Sequence, residues 1–140
     1  MKRLENQMVN QAAKKRILVI DDDERVLISL ECLLENEGYE TTTVWSAQDG
    51  LNMLRTKLFD LVLLDDYMHG VAIEGIFDEI QKMEIQPPVI LTVSSSLPEA
   101  RKHFIELGAV AVVNKWAPCE EIAAEVRKQL AKAGLEAVPA

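Results

Sequence analysis

The chain has 140 residues, 49% of them hydrophobic, enough to bury one proper core but not two. A formal charge of -8 argues against a broad nucleic-acid footprint, which needs clustered Lys and Arg, and means that phosphate chemistry here would need a cation. Two cysteines, Cys32 and Cys119, are too far apart for a CxxC site and too few for a disulfide framework, and no run has the length of a membrane span or the pattern of a signal peptide; reduced thiols and a cytoplasmic location are expected.

Residues 1–15 read as a polar N-terminal extension on which Leu4, Met8 and Ala12 would share a helical face. The first strand is "ILVI", Ile17 to Ile20, and it runs into Asp21-Asp22-Asp23. A helix is predicted from Glu24 to Glu37, with Val26, Leu27, Leu30, Leu33 and Leu34 in one stripe and Gly38 at the C-cap. The second strand, "TTTVW", leads to a helix that Ser46 can cap, with Asp49 at the capping-box position and Gly50 weakening the first turn.

"LVLL", Leu61 to Leu64, is the third strand and meets Asp65-Asp66. A helix from about Ile73 to Glu84 closes before Pro87-Pro88. The fourth strand, "VILTV", is followed by Ser94, Ser95 and Ser96, and Pro98 opens a helix that stops at Gly108. The fifth strand, "AVAVV", Ala109 to Val113, ends in Asn114-Lys115. Pro118 opens the last helix, predicted to reach about Ala133 with Gly134 behind it. The body is therefore 16–133, with a C-terminal tail of 134–140.

Three of the five strands are apolar throughout, as in a parallel sheet covered on both faces. Five βα units with right-handed crossovers build a doubly wound α/β sheet, whose ligands bind beyond the carboxyl ends of the strands. Singly, the polar residues at those ends have ordinary readings: Asp21 to Asp23 as helix caps, Asp65-Asp66 as a turn, Thr92 as a strand residue, Lys115 as a surface charge. Jointly, carboxylates from two strands, a hydroxyl from a third and an ammonium from a fourth would converge on one crevice.

The blocks "ILVIDDD", "FDLVLLD" followed by "MHG", "VILTVSS" and "GAVAVVNK", with "LLENEGYE" upstream of the second, carry a resemblance. From about Lys15 to Lys128 the chain resembles the receiver domain of bacterial two-component response regulators. The resemblance implies a flavodoxin-like (βα)5 fold with strand order 2-1-3-4-5. It implies Mg²⁺ as cofactor, a hard cation that takes a few carboxylate oxygens, keeps several waters and bridges to phosphate. Asp22 would be a direct ligand, Asp21 would act mainly through water, and Asp65 and the Tyr67 backbone carbonyl would each supply an oxygen. Asp65 would be the phosphoacceptor, and Lys115 would neutralise charge on the transferred oxygens. A hydroxyl on the fourth strand would bond the phosphoryl group and shift the domain between two conformations. Thr92 is the favoured hydroxyl and Ser94, on the same side of an extended strand, the alternative.

The chain departs from the family pattern at several positions. Val93 replaces a small residue beside the phosphoryl pocket. His69 replaces a proline, ahead of a longer loop, and is either an ordinary loop histidine or a group that makes the site pH-sensitive. Trp116 replaces a proline in a cis linkage, so a local rearrangement or a strained peptide is expected there; its ring is either a partner contact or packed over the loop. Val112 stands where the family often has an aromatic that swings on activation. Asp66, next along the extended chain, should point away from Asp65 and act as a local charge. Cys32 and Cys119 read as packing or surface residues, and His103 as a helix-surface residue.

The resemblance implies a stand-alone receiver, phosphorylated by the phosphohistidine of a sensor histidine kinase or histidine phosphotransfer protein. It would then alter its binding to a downstream protein through the face of the fourth helix, fifth strand and fifth helix. Direct nucleic-acid binding and membrane insertion are not expected; a homodimer on phosphorylation is left open. Such a protein is no enzyme beyond its own phosphorylation and dephosphorylation. Two rival readings are a degenerate receiver that binds proteins without phosphorylation and a Mg²⁺-dependent aspartyl-phosphate phosphohydrolase of the haloacid dehalogenase type. The latter expects a DxDx(T/V) motif, which "DDDERV" fits poorly. No glycine-rich phosphate loop follows the first strand, which leaves nucleotide binding weaker still.

Overall fold

The apolar runs form the strands of a single parallel sheet. The computed structural model describes residues 14–94 and 98–137, with side chains to residue 134. Its strands are β1 (Arg16–Ile20), β2 (Glu40–Val44), β3 (Leu61–Asp65), β4 (Val89–Val93) and β5 (Ala111–Asn114). Its helices are α1 (Glu24–Asn36), α2 (Ala47–Thr56), α3 (Ile73–Gln81), α4 (Pro98–Leu107) and α5 (Cys119–Ala137). The order across the sheet is β2-β1-β3-β4-β5 and every pairing is parallel, which is the expected doubly wound, flavodoxin-like arrangement. The helical face proposed for the N-terminal extension lies outside the described residues, as do Ser95 and Ser96.

Strand alternation divides the core into two layers. Leu18, Ile20, Val62, Leu64 and Leu91 pack with Leu51 of α2 and with Ile76, Phe77 and Ile80 of α3. On the other face Ile17, Val19, Leu61, Leu63 and Ile90 pack with Leu27, Leu30 and Leu34 of α1 and with Ile122 and Val126 of α5. Full burial of each such side chain contributes roughly 1.5–3 kcal/mol. The fourth helix is the exception: α4 has no fully buried residue, and reaches the core only through the partly buried Phe104 and Leu107.

Several boundaries differ from the sequence expectation for local reasons. The third helix stops at Gln81, short of Glu84, where the Gln86 side-chain amide takes the Gln81 and Met83 carbonyls at 2.9 and 3.2 Å. The fifth strand starts at Ala111, because the Ala109 N–H is held by the Phe104 carbonyl at the end of α4. The last helix runs through Gly134 to Ala137, its glycine carried by flanking Ala, Leu and Glu, all good helix formers. Ser46 caps α2 as predicted, its hydroxyl accepting the Asp49 N–H at 3.1 Å. Gly50 does more than weaken that helix: a Cβ there would meet Ile20 Cδ1 at 2.5 Å, so its bareness lets α2 lie close on the sheet.

Candidate functional site

The three aspartates after β1 divide between the ordinary reading and the functional one. Asp23 is the N-cap of α1 and accepts the Arg25 N–H at 2.9 Å. Asp21 turns inward: its N–H continues the sheet to the Val44 carbonyl at 3.2 Å, and its Oδ1 accepts the Asp23 N–H at 2.8 Å. Asp22 lies between them at the rim, its Oδ2 2.7 Å from His69 Nδ1.

The third strand extends one residue beyond the predicted run, so Asp65 is its last member and only 2% exposed. Thr92 is its Cα partner on β4, and a parallel register puts both side chains on the same face. Lys115 comes in from the end of β5, anchored by its N–H on the Val93 carbonyl at 2.9 Å. Its Nζ donates to Asp65 Oδ1 at 3.0 Å and lies 3.5 Å from Asp21 Oδ2. Carboxylate oxygens of Asp21, Asp22 and Asp65 all lie within 4.8 Å of one another. The sheet thus brings together Asp21, Asp22, Asp65, Thr92 and Lys115 at the carboxyl ends of its strands.

The electrostatics of this cluster favour a cation. Burial pushes the Asp21 carboxyl up to about 6, against the pull of the Asp23 N–H; Asp65 and Asp22 add repulsion, and Lys115 relieves part of it. Burial would lower the Lys115 ammonium, but its hydrogen bond to Asp65 and the charges of Asp21 and Asp65 outweigh that and hold it above its ordinary value. Three ionised carboxylates facing one ammonium leave two negative charges uncompensated. Asp21 is 1% exposed, and its buried Oδ2 makes no hydrogen bond and has only the long 3.5 Å ion-pair contact with Lys115, weak compensation for a carboxylate oxygen. An all-oxygen donor set with a buried, weakly compensated carboxylate oxygen and a two-charge deficit fits a hard divalent cation.

Other expected residues fall around this centre. Ser94 is exposed just past β4, whereas Thr92 is 2% exposed within it. The Tyr67 N–H lies 3.4 Å from Asp65 Oδ1, which puts its backbone in the loop beside the acceptor. Asp66 is less remote than strand alternation implies, because the strand ends at Asp65 and the rule lapses one residue later. Its carboxyl is raised to about 6, first by burial and then by the neighbouring Asp65, and its Oδ1 is buried and unpartnered. The Lys115-Trp116 peptide is trans, and the Trp116 N–H is taken by Asn114 Oδ1 at 2.8 Å. The indole is 62% exposed rather than packed over the loop. Val93 and Val112 are buried in the core. His103 does lie on the surface of α4, where its Nε2 meets Glu74 of α3 at 3.2 Å, and both cysteines are exposed.

The sequence reading missed the pairing of His69 with Asp22. The signal was a turn: the Val71 N–H bonds the Met68 carbonyl at 3.1 Å, and Gly70 has φ +76° while, among the described residues, no non-glycine residue has positive φ. Those values describe a type II turn with His69 at its second position, next to the acidic cluster.

Comparison with known proteins accords with this geometry. The sequence model of the response regulator receiver domain matches residues 17–127. Transcriptional regulatory protein DltR of Streptococcus agalactiae serotype III is 25% identical over 120 residues, covering 86% of this chain and 54% of the relative. The uncharacterized transcriptional regulatory protein YkoG of Bacillus subtilis is 32% identical over 122 residues, 86% of this chain and 53% of the relative. The chain therefore spans about half the length of these curated relatives. A solved CheY-like response regulator receiver domain protein from Methanospirillum hungatei superposes with a TM-score of 0.80 at 25% identity, covering 88% of this chain and 98% of the other.

Proposed function

The chain belongs to the response regulator receiver domain family, and from that premise we propose that it accepts a phosphoryl group on Asp65 and thereby changes its affinity for a protein partner. The observation that carries this reading is the 3.0 Å bond from Lys115 Nζ to Asp65 Oδ1 inside a cluster of three carboxylates. The donor would be a phosphohistidine of a sensor histidine kinase or a histidine phosphotransfer protein. An Asp65 oxygen forms the new P–O bond as the donor's P–N bond breaks, and the departing imidazole keeps the electron pair. Lys115 exchanges its contact with the free carboxylate for contacts with the phosphoryl oxygens, and Thr92 offers its hydroxyl to the same group from the adjacent strand.

Asp21, Asp22, Asp65 and the Tyr67 carbonyl would hold Mg²⁺. Bound there, the ion supplies the positive charge that lets a carboxylate approach a phosphoryl dianion. Self-phosphorylation and self-dephosphorylation are the only reactions this reading assigns to the chain.

The output surface would be the face of α4, β5 and α5. The shallow anchorage of α4 supports that choice, since an element with few buried contacts shifts at low cost. The acidic balance favours a protein partner over nucleic acid for this unit, and no described helix is long and apolar enough to cross a membrane. Borohydride reduction of the phosphorylated protein followed by peptide mapping tests the site: homoserine at position 65 is expected, and homoserine at position 66 or nowhere would refute it.

A further inference from the structure

We propose that His69 is a positioning residue of the carboxylate site: its ring N–H holds the Asp22 carboxylate in place so that Asp22 can serve as a ligand of Mg²⁺. This inference rests on the reading of Asp21, Asp22 and Asp65 as a cation site, and it leaves His69 itself outside the ligand set.

The three carboxylates differ in what holds them. Asp21 Oδ1 accepts the Asp23 N–H at 2.8 Å, and Asp65 Oδ1 accepts the Lys115 ammonium at 3.0 Å. Asp22 stands at the rim, and among the described residues its side chain has one hydrogen-bond partner, His69 Nδ1, 2.7 Å from Oδ2. An ionised carboxylate only accepts, so the ring proton sits on Nδ1 and the imidazole donates. Both carboxylate oxygens carry lone pairs, so Asp22 can keep this bond through Oδ2 while Oδ1 is left to an ion. The imidazole thus touches the ligand and not the metal.

Local structure keeps His69 within reach of Asp22. Met68 is 4% exposed and packs in the core, which pins the loop one residue before the histidine. The turn from Met68 to Val71, closed by the bond at 3.1 Å and by Gly70 at φ +76°, folds the loop back on itself. The Tyr67 ring meets the imidazole edge-on at 5.3 Å between centroids. The His69 side chain is 82% exposed and packs into no core, so core packing does not account for its position.

Holding the rim carboxylate in advance favours the ion. A free aspartate loses rotamer freedom when an ion captures it, and a carboxylate already tied by a hydrogen bond has less to lose. Hydrogen-bond partners of metal ligands are worth roughly ten- to a hundredfold in metal affinity, and a partner at an exposed rim belongs at the lower end of that range.

The test is calorimetric titration of Mg²⁺ into wild type, His69→Ala and His69→Asn at about pH 8, where an ordinary imidazole is neutral, with the ring nitrogen shifts of the wild type recorded by NMR. His69→Ala should weaken Mg²⁺ by roughly tenfold. His69→Asn, whose amide N–H can donate to the same carboxylate, should recover most of that loss. The wild-type imidazole should carry its proton on Nδ1 and keep it there when Mg²⁺ is bound, because the ring is not a ligand. Unchanged or tighter binding by His69→Ala, an Asn variant as weak as the Ala variant, or a ring proton on Nε2 would overturn the role of His69 while leaving the carboxylate site intact. If the wild type binds no Mg²⁺, the cation site itself is refuted and His69 with it. The substitutions lie in an exposed turn, so folding is preserved, and circular dichroism of all three proteins verifies that.

Discussion

Asp65 and Thr92 are Cα partners across β3 and β4, both almost wholly buried, with the Asp66 N–H bonded to the Thr92 carbonyl at 3.0 Å. A group attached to Asp65 is therefore within one strand spacing of the Thr92 side chain. Thr92→Ala is expected to abolish the phosphorylation-dependent change in tryptophan fluorescence while Asp65 still accepts phosphate. Ser94→Ala, at an exposed position past the strand, should leave that change intact. The reverse pattern would transfer the switch to Ser94.

Lys115 contacts two carboxylates with one charge, so its loss has two opposed effects. Lys115→Met should cut phosphoryl incorporation by about a hundredfold, the scale on which single preorganised electrostatic groups act. It should also raise the affinity for Mg²⁺, because the ammonium no longer competes for Asp65 and Asp21. Parallel phosphorylation and metal titrations check both signs; a fall in both would mean that the lysine holds the site together rather than serving transfer.

The pH dependence of stability follows from Asp21, held near 6 by burial against an ordinary value of 3.8. An acid whose folded pKa is raised binds protons more tightly when folded, so the metal-free protein gains stability as pH falls from 7 through 6 toward 4. The cost at neutral pH is roughly 3 kcal/mol at most, from two pKa units. Asp66 is raised in the same direction. In thermal denaturation the metal-free midpoint should be higher near pH 5 than pH 7, and Mg²⁺ should raise it at pH 7 and do little at pH 5. A metal-free midpoint that drops on acidification over that range would contradict the electrostatic description of the site.

Two helical glycines should respond oppositely to alanine. At Gly50 the new methyl would lie 2.5 Å from Ile20 Cδ1 and 2.9 Å from Cγ1, against a side chain that is itself buried, so overpacking should cost about 1–3 kcal/mol. At Gly134 nothing among the described residues lies within 4 Å, and the gain in helix propensity should stabilise by up to about 1 kcal/mol. Urea denaturation of the two variants measures both; equal shifts would mean that the close approach of α2 to β1 is not needed.

The doubly wound sheet was legible because continuous apolar runs such as Leu61 to Leu64 have only one common use, a strand covered on both faces. Given that sheet, the strand ends named Asp21, Asp65 and Lys115, since topology alone brings them together. Residues beyond the regular elements were less legible. Asp66 was assigned by an alternation that ends with the strand, and the peptide before Trp116 is trans, the ordinary state of a non-proline residue, with the Asn114 side chain accepting the Trp116 N–H. His69 reaches Asp22 across 47 positions through a tight turn whose geometry no spacing rule contains. Gly50 read as a weak helix residue because its reason, the nearness of Ile20, is tertiary.

The most direct measurement is the intact mass of wild type and Asp65→Asn after incubation with Mg²⁺ and a small acyl-phosphate donor. One phosphoryl adduct on the wild type, none on Asp65→Asn, and none on wild type when the metal is chelated is the expected result. No adduct on the wild type despite measurable Mg²⁺ binding would contradict the phosphoacceptor reading and point to a receiver fold that binds its partner unmodified.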